Sequence, residues 1–167
     1  MIELLTLVVL LEEKCTIYKI KQNIENKYGF FLNISFGSIY PAVKRLEENK
    51  YISVKKSISS GGQRSSLYSI TNSGKDYFVD LMSEELPDNP LIASQLINIK
   101  IMSINKINKE QKDSVKKTIT NYLELKKIYS RNLILSTPDI FSDIELKYIN
   151  YNIQKQTELV EWIKAKL

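Results

Sequence analysis

One short segment carries side chains that could bind an anionic polymer. Lys44 and Arg45 are adjacent cations, and Ser38 and Tyr40 add hydroxyl groups a few residues earlier. Cations and hydroxyls on one face of a helix can contact phosphate oxygens and the edges of bases. Two adjacent cations alone are more often a solvated surface, so the meaning of this segment depends on the elements that position it.

The segment has the period of an amphipathic helix. Ile39, Val43 and Leu46, with Phe36 ahead of them, recur at steps of three and four residues, which predicts one buried stripe. The opposite face is polar apart from a proline, and its members are Ser38, Pro41, Lys44, Arg45 and Glu48, with Tyr40 at the border. The pattern therefore predicts a helix that buries one face and exposes the other.

The ends of this helix follow from a proline and from small polar residues. Proline is tolerated in the first turn of a helix, where its missing N–H has no partner, so Pro41 indicates a start near Ser35 or Ser38. Either serine could cap the helix. At the other end we expect Asn49 to adopt the left-handed cap conformation, which gives a helix over 36–49.

A β-hairpin is predicted directly after this helix. Residues 51–56 and 67–70 alternate and carry β-branched and aromatic side chains. Between them, Gly61 and Gly62 lie among serines, a composition typical of a turn. The two glycines suit either a plain turn or a tip that enters a DNA groove.

Two helices are predicted before the segment. The apolar run 2–11 predicts a buried helix, and the apolar residues of 17–28 recur at helical spacing up to Gly29. We expect Gly29 to stop the second helix by adopting the left-handed conformation. Helix, helix, turn, helix and hairpin in this order predict a winged helix-turn-helix domain.

The remainder of the chain is predicted to be helical. Residues 86–90, with two prolines, form the most convincing linker, so we place the domain boundary between 1–86 and 87–167. Helices are expected over 91–104, over 109–136 and from about 142 onward. The fold class is therefore mainly α with a small β-hairpin.

The last helix carries a heptad seam. Its members recur in alternating steps of three and four residues, and they are Leu146, Ile149, Ile153, Gln156, Val160, Ile163 and Leu167. Such a seam could pair with a second copy of the chain or dock on the preceding helix, and the sequence favours neither. Gln156 is a polar interruption of the kind that fixes register.

The motifs of the first 80 residues resemble those of the PadR family of bacterial winged helix-turn-helix transcriptional regulators. The recognition helix of that family reads approximately G-(S/T)-(L/I)-Y-P-A-L-x-R-L-E, and residues 37–47 read GSIYPAVKRLE. The wing of the family ends in L-T-x-x-G, and residues 67–74 read LYSITNSG. The tail is similar more loosely, through Asn89-Pro90-Leu91 and Glu161-Trp162-Ile163.

The resemblance implies a homodimeric repressor that binds a palindromic operator in double-stranded DNA through its head and dimerises through its C-terminal helical domain. Together with the periodicity it indicates DNA contacts by Ser35, Ser38, Tyr40, Pro41, Lys44, Arg45, Lys55, Gly62, Gln63, Arg64 and Tyr68. It indicates dimer contacts by Leu146, Ile149, Ile153, Gln156, Val160, Trp162 and Ile163. The wing of the family is usually basic at the positions of Gln63, Ser65 and Ser66. We therefore expect this chain to bind DNA phosphates more weakly than a typical member of the family.

Aromatic residues of the tail have two interpretations. Family members sense small, often aromatic molecules, and such an effector would be bound here by Tyr122, Tyr129, Tyr148, Tyr151 and Trp162. Helical aromatics more usually pack between helices. We favour packing between helices over the binding of an effector that would relieve repression.

Composition and charge limit the kinds of function that the chain could have. The 167 residues are 43% hydrophobic and 26% charged, as in ordinary globular proteins, and the net charge of +5 permits nucleic-acid binding without demonstrating it. A single cysteine, Cys15, and the lack of histidine give no basis for a disulfide, a zinc site or general acid-base catalysis. We expect no cofactor, no metal and no enzymatic activity. The single cysteine fits a reducing cytosol, so we expect a cytoplasmic protein, and the run 2–11 is too short to cross a bilayer, so we expect no membrane partner.

A second interpretation keeps the fold and changes the role. The winged head could belong to a plasmid replication or partition factor, or it could bind another polypeptide instead of DNA. Charge reversal at Lys44 and Arg45 distinguishes DNA binding from protein binding.

Overall fold

The computed structural model describes residues 1–58 and 64–167, with the side chains of 57, 58, 64 and 138 outside the description. In this part of the chain the elements are α1 (Ile2–Glu12), α2 (Ile17–Tyr28), α3 (Phe36–Glu48), β1 (Ile52–Ile58), β2 (Arg64–Ile70), α4 (Asn72–Ser83), α5 (Pro90–Ser103), α6 (Lys109–Ser136) and α7 (Asp143–Lys166), with short 3-10 turns at Ile104–Lys106 and Pro138–Ile140. The chain divides into two compact units, Met1–Ser103 and Ile104–Leu167.

Helix α1 is the centre of the first unit. All residues from Leu4 to Leu10 are buried, because the helix is apolar on every side. The buried hydroxyl of Thr6 donates a hydrogen bond to the carbonyl of Ile2 at 2.9 Å. Helices α2, α3 and α4 and strand β2 all pack against α1.

Local signals define both ends of α2. The hydroxyl of Thr16 caps the helix by accepting from the backbone N–H of Lys19 at 3.3 Å. The helix ends at Tyr28 as predicted, but Gly29 is right-handed, with φ −61° and ψ −18°, so the expected left-handed conformation is wrong. Glycine is needed for another reason, since a Cβ there would lie 2.3 Å from the carbonyl oxygen of Glu25.

Helix α3 begins directly after Ser35, as predicted, although the side chain of Ser35 makes no capping hydrogen bond. The expectation for Pro41 is wrong, because this residue is the sixth of the helix and lies in its second turn. Its missing N–H leaves the carbonyl of Gly37 without the usual helical partner. The cost is limited because Gly37 is exposed, and an exposed carbonyl can bond to solvent.

The end of α3 differs from the expectation. Asn49 has φ −83°, and Lys50 adopts the left-handed conformation instead, with φ 61°. The carbonyl of Arg45 accepts both the side-chain amide of Asn49 at 2.8 Å and the backbone N–H of Asn49 at 3.0 Å, which closes the last turn. The backbone N–H of Tyr51 then donates to the carbonyl of Leu46 at 2.9 Å, and the chain turns into β1.

The two strands form the predicted antiparallel hairpin. Their register pairs Ile52 with Ile70 and continues to Ile58 opposite Arg64. Cys15, between α1 and α2, exchanges backbone hydrogen bonds with Tyr68 at 3.2 and 2.9 Å. The base of the hairpin is therefore tied to the helical core.

A close backbone approach joins the hairpin to α4. Thr71 caps α4 by accepting from the N–H of Gly74 at 3.0 Å. A Cβ at Gly74 would lie 1.9 Å from the carbonyl oxygen of Tyr51, so only glycine fits this position without a backbone shift.

The second unit is built on α6 and α7, which pack against each other. Both helices begin with a capping box, Asn108 with Gln111 and Ser142 with Glu145. The buried residues of α6 are Val115, Ile119, Leu123 and Lys127, and those of α7 are Ile153, Val160 and Ile163.

The division into compact units does not coincide with the predicted domain boundary at 86/87, because α5 belongs to the first unit. Compactness does not determine which segment binds a partner, so the functional boundary stays a prediction. Among the described helices, none is long and apolar enough to cross a bilayer.

Candidate nucleic-acid interface

The core holds α3 by one face and leaves the other face open. Ile39, Ala42, Val43 and Leu46 are buried and pack the helix against α1 and α2. The residues predicted to contact DNA lie on the opposite side, and Ser35, Tyr40, Pro41, Lys44 and Arg45 are all exposed. The stripe and the exposed face are as the period predicted, apart from Phe36.

Ser38 is presented as a hydrogen-bond acceptor. It is half-buried, and its hydroxyl donates to the carbonyl of Ser35 at 2.8 Å. Because the single hydroxyl proton is used within the helix, the free lone pairs of the oxygen can accept a hydrogen bond from the amino group of adenine or cytosine.

The two adjacent cations have different surroundings. Lys44 is 3.7 Å from Glu48, and both side chains are more than 60% exposed, so the ammonium can leave this pair at little cost. The Nε atom of Arg45 donates to Glu3 of α1 at 2.6 Å, and the other carboxylate oxygen of Glu3 accepts from Tyr77 of α4 at 2.9 Å. Lys44 is therefore the cation that is free to reach a phosphate, while Arg45 is held by Glu3, whose carboxylate joins α1, α3 and α4.

Phe36 is more exposed than the helical period predicted. It was expected in the buried stripe, but 44% of its surface is exposed. As the first residue of α3 it has no preceding turn of the helix to cover it. Its ring stacks on Tyr18 of α2 with centroids 6.1 Å apart, and the ammonium of Lys21 lies 5.2 Å from its centroid. Sequence reasoning missed Tyr18 and Lys21 as members of this surface, and no motif or period singles them out.

The hairpin residues have mixed outcomes. Lys55 is exposed on β1. Tyr68 is buried at the base of the hairpin, where burial raises the pKa of its hydroxyl, so little of the ring is accessible to a partner. Gly62 and Gln63 lie outside the described residues, and Arg64 is described only as the first residue of β2.

Cys15 is not placed for reactivity. The thiol is buried, and burial, reinforced by Glu13, raises its pKa to about 11. A cysteine with that pKa is almost entirely the unreactive thiol at neutral pH. Within the described residues no group of histidine, cysteine, aspartate or glutamate side chains is arranged to hold a metal ion.

Comparison with known proteins places the chain among transcriptional regulators. The model of the transcriptional regulator PadR-like family matches residues 6–80. A PadR family transcription regulator from Clostridium difficile R20291 is 32% identical in sequence over 46% of this chain and 78% of its own, with a TM-score of 0.41. The chain belongs to the PadR family.

Two further matches, one to a sequence and one to a crystal structure of PadR from Bacillus subtilis, span most of the chain. The negative transcriptional regulator PadR of Bacillus subtilis (strain 168) is 20% identical over 158 residues, which cover 90% of this chain and 86% of that protein. A crystal structure of Bacillus subtilis PadR in complex with operator DNA matches 98% of this chain and 95% of that chain, with 16% identity and a TM-score of 0.48.

In this PadR-family chain the family model covers α2, α3, both strands and most of α4. All residues predicted to contact DNA therefore lie within the matched segment. The mainly helical fold with its winged helix-turn-helix head is confirmed. Helices α6 and α7 lie outside the segment, so their role rests on their own geometry.

Proposed function

We propose that this chain is a homodimeric repressor that binds a palindromic operator in double-stranded DNA. The observation that carries the proposal is α3, which is held by its buried face and presents Ser38 and Lys44 beside the hairpin. Phosphate contacts by Lys44 and Lys55 would supply affinity, and base contacts near Ser38 would supply sequence choice. Repression is supported by the relative from Bacillus subtilis that is named a negative transcriptional regulator. Such a regulator works on DNA in the cytoplasm, where we place the chain.

The homodimer is supported by the exposed apolar surface of the second unit. On α7 the large residues Ile144, Tyr148, Tyr151 and Trp162 are 44–72% exposed. At about 100° per residue these four positions fall within roughly 60° of one another, so they form one stripe along the helix, here called the outer stripe. Monomeric proteins rarely expose an apolar surface of this extent, which favours a second copy as its occupant.

The heptad seam lies on the other side of α7. Within one chain Ile153, Val160 and Ile163 are already buried, and Leu146, Ile149 and Gln156 are partly buried. This burial supports a seam that stabilises the packing of α7 inside the chain. We therefore assign the larger part of the dimer contact to the outer stripe, which includes Trp162, and a smaller part to the seam.

The effector part of the proposal rests on a groove in the second unit. The groove has a volume of about 640 Å³, and its lining includes Phe141, Ile144, Tyr148 and Tyr151. A small aromatic molecule in this groove would lie on the outer stripe. Its binding would change how the two copies meet, and so the spacing of their heads against the two half-sites of the operator.

Two experiments test the proposal. Selection of binding sites from random duplex DNA should yield a palindrome with half-sites about one helical turn apart, and transcription in vitro from a promoter that contains this site should fall when the protein is added. Sedimentation should give a dimer for the wild type and a monomer for a Tyr148→Glu, Tyr151→Glu double variant that keeps its helical circular dichroism. Selection without a symmetric site, or a wild type that sediments as a monomer, would contradict the proposal.

A further inference from the structure

An exposed aromatic pair lies at the start of the proposed recognition helix. Tyr18 is 66% exposed and Phe36 is 44% exposed, although their rings stack with an interplanar angle of 23°. Packing explains only the faces that the two rings turn toward each other. The accessible ring surface serves neither the core of the first unit nor the hydrogen-bonding functions assigned to Ser38 and Lys44.

The position of the pair limits what it can contact. Phe36 is the first residue of α3, and residues at the N-terminal end of a recognition helix are those that reach base edges in the major groove. In the same groove thymine presents a methyl group, which is read by apolar contact, including contact with phenylalanine. A phenyl ring has no hydrogen-bonding group, so the thymine methyl is the feature of the base edges that it can recognise.

The charges around the pair suit DNA rather than an apolar protein surface. The ammonium of Lys21 lies 5.2 Å from the centre of the Phe36 ring and forms an ion pair with Glu25. Lys19 is exposed one residue after Tyr18, and its ammonium donates to Gln22. Aromatic surface flanked by ammonium groups can contact a base edge while the cations approach neighbouring phosphates.

We propose that the Tyr18–Phe36 pair reads the methyl group of a thymine in each operator half-site. The proposal rests on the DNA-binding function proposed above and adds a specificity determinant to it. Phe36 makes the methyl contact, and Tyr18 holds the ring of Phe36 in place. Replacing that thymine by uracil removes one methyl group and changes none of the hydrogen-bonding groups of the base.

The test combines DNA and protein substitutions. Each thymine of the selected operator is replaced in turn by uracil, and affinities are measured by fluorescence anisotropy. Burial of one methyl group predicts a three- to fivefold loss of wild-type affinity at one position of each half-site. For Phe36→Ala the loss at this position should disappear, and for Phe36→Leu, which keeps an apolar side chain, part of it should remain.

Phe30→Ala is the matched control. Phe30 is 79% exposed and follows the C-terminal end of α2, whereas Tyr18 lies in the first turn of that helix. This variant should keep the full difference between thymine and uracil. Circular dichroism confirms that each variant is folded, and Phe36→Leu keeps the test decisive should Phe36→Ala not fold.

The outcomes separate the two proposals. A wild type that does not distinguish its selected operator from scrambled DNA would overturn the proposed function. Selective binding in which no uracil substitution matters, or in which Phe36→Ala and Phe36→Leu keep the full difference, would overturn the methyl contact alone.

Discussion

Substitution of Glu3 by glutamine should destabilise the first unit through two contacts. Glu3 of α1 accepts from Nε of Arg45 at 2.6 Å and from the hydroxyl of Tyr77 at 2.9 Å, so one carboxylate joins α1, α3 and α4. Glutamine removes the charge and keeps one acceptor oxygen. The bond from Arg45 therefore loses its charge assistance, and the bond with Tyr77 is either lost or reversed, with the amide donating to the hydroxyl.

The magnitude follows from the exposure of the partners. The side chain of Arg45 is 57% exposed and that of Glu3 is 20% exposed, so the ion pair contributes at most about 1 kcal/mol. Loss or weakening of the hydrogen bond from Tyr77 adds about 1 kcal/mol. The expected loss of about 1–2 kcal/mol lowers the Tm by roughly 2–8 °C for a protein of this size.

Thermal denaturation at pH 7, followed by circular dichroism, measures the effect. Glu48→Gln is the control, because it removes the same charge from a pair with Lys44 in which both side chains are more than 60% exposed. We expect the control to change the free energy of unfolding by less than about 0.5 kcal/mol. Equal Tm values for the two variants would refute the assignment of Glu3 as a link between helices.

The pH dependence of stability in the Glu3→Gln variant is an independent test of the contact between Glu3 and Tyr77. Burial, followed by the hydrogen bond to Glu3, raises the pKa of Tyr77 to about 12. An unfolded tyrosine ionises near pH 10 and the folded one near pH 12, so the stability that Tyr77 contributes is present below pH 10 and lost between pH 10 and 12. In Glu3→Gln this alkaline loss should become smaller, because one cause of the raised pKa is removed.

Two further predictions concern buried positions of the first unit. Lys100 is 1% exposed, its ammonium donates to the carbonyl of Glu84, and burial lowers its pKa to about 8. The folded state therefore loses stability as the pH falls from 10.5 to 8. Lys100→Met should abolish that loss and stabilise the protein by about 1–2 kcal/mol in urea unfolding at pH 7. An unchanged pH profile would contradict this. Gly74→Ala should lower the Tm by several degrees, because its Cβ would lie 1.9 Å from the carbonyl oxygen of Tyr51. Gly37→Ala should leave the Tm unchanged, because its Cβ meets only a serine hydroxyl at 3.5 Å. Equal Tm values for the two variants would show that the backbone at Gly74 shifts without cost.

Features that depend on local sequence could be predicted. The extent of α2 follows from the helical spacing of its apolar residues up to Gly29. The hairpin follows from alternation, and the exposed face of α3 follows from its period. These signals lie within a few residues of the element that they define, so one sequence is sufficient to recognise them.

Features that depend on distant neighbours could not be predicted. The period assigned Phe36 to the buried stripe, but the burial of the first residue of a helix depends on what other elements place over it. The ion pair between Glu3 and Arg45 joins residues 42 positions apart, and nothing in the order of the sequence indicates it. For the same reason the sequence could not determine which side of α7 is buried within the chain.

The most direct test of the account is the affinity of the protein for duplex DNA from immediately upstream of its own gene, measured by fluorescence anisotropy at two salt concentrations beside a scrambled duplex. Wild type, Lys44→Gln and Lys117→Gln are compared, since Lys117 is an exposed lysine of α6 that lies outside the proposed interface. We expect selective, salt-dependent binding by the wild type and by Lys117→Gln, with weaker binding by Lys44→Gln and a salt slope lower by about 0.9. Equal binding of all three proteins with equal slopes, or equal binding of both duplexes by the wild type, would contradict it.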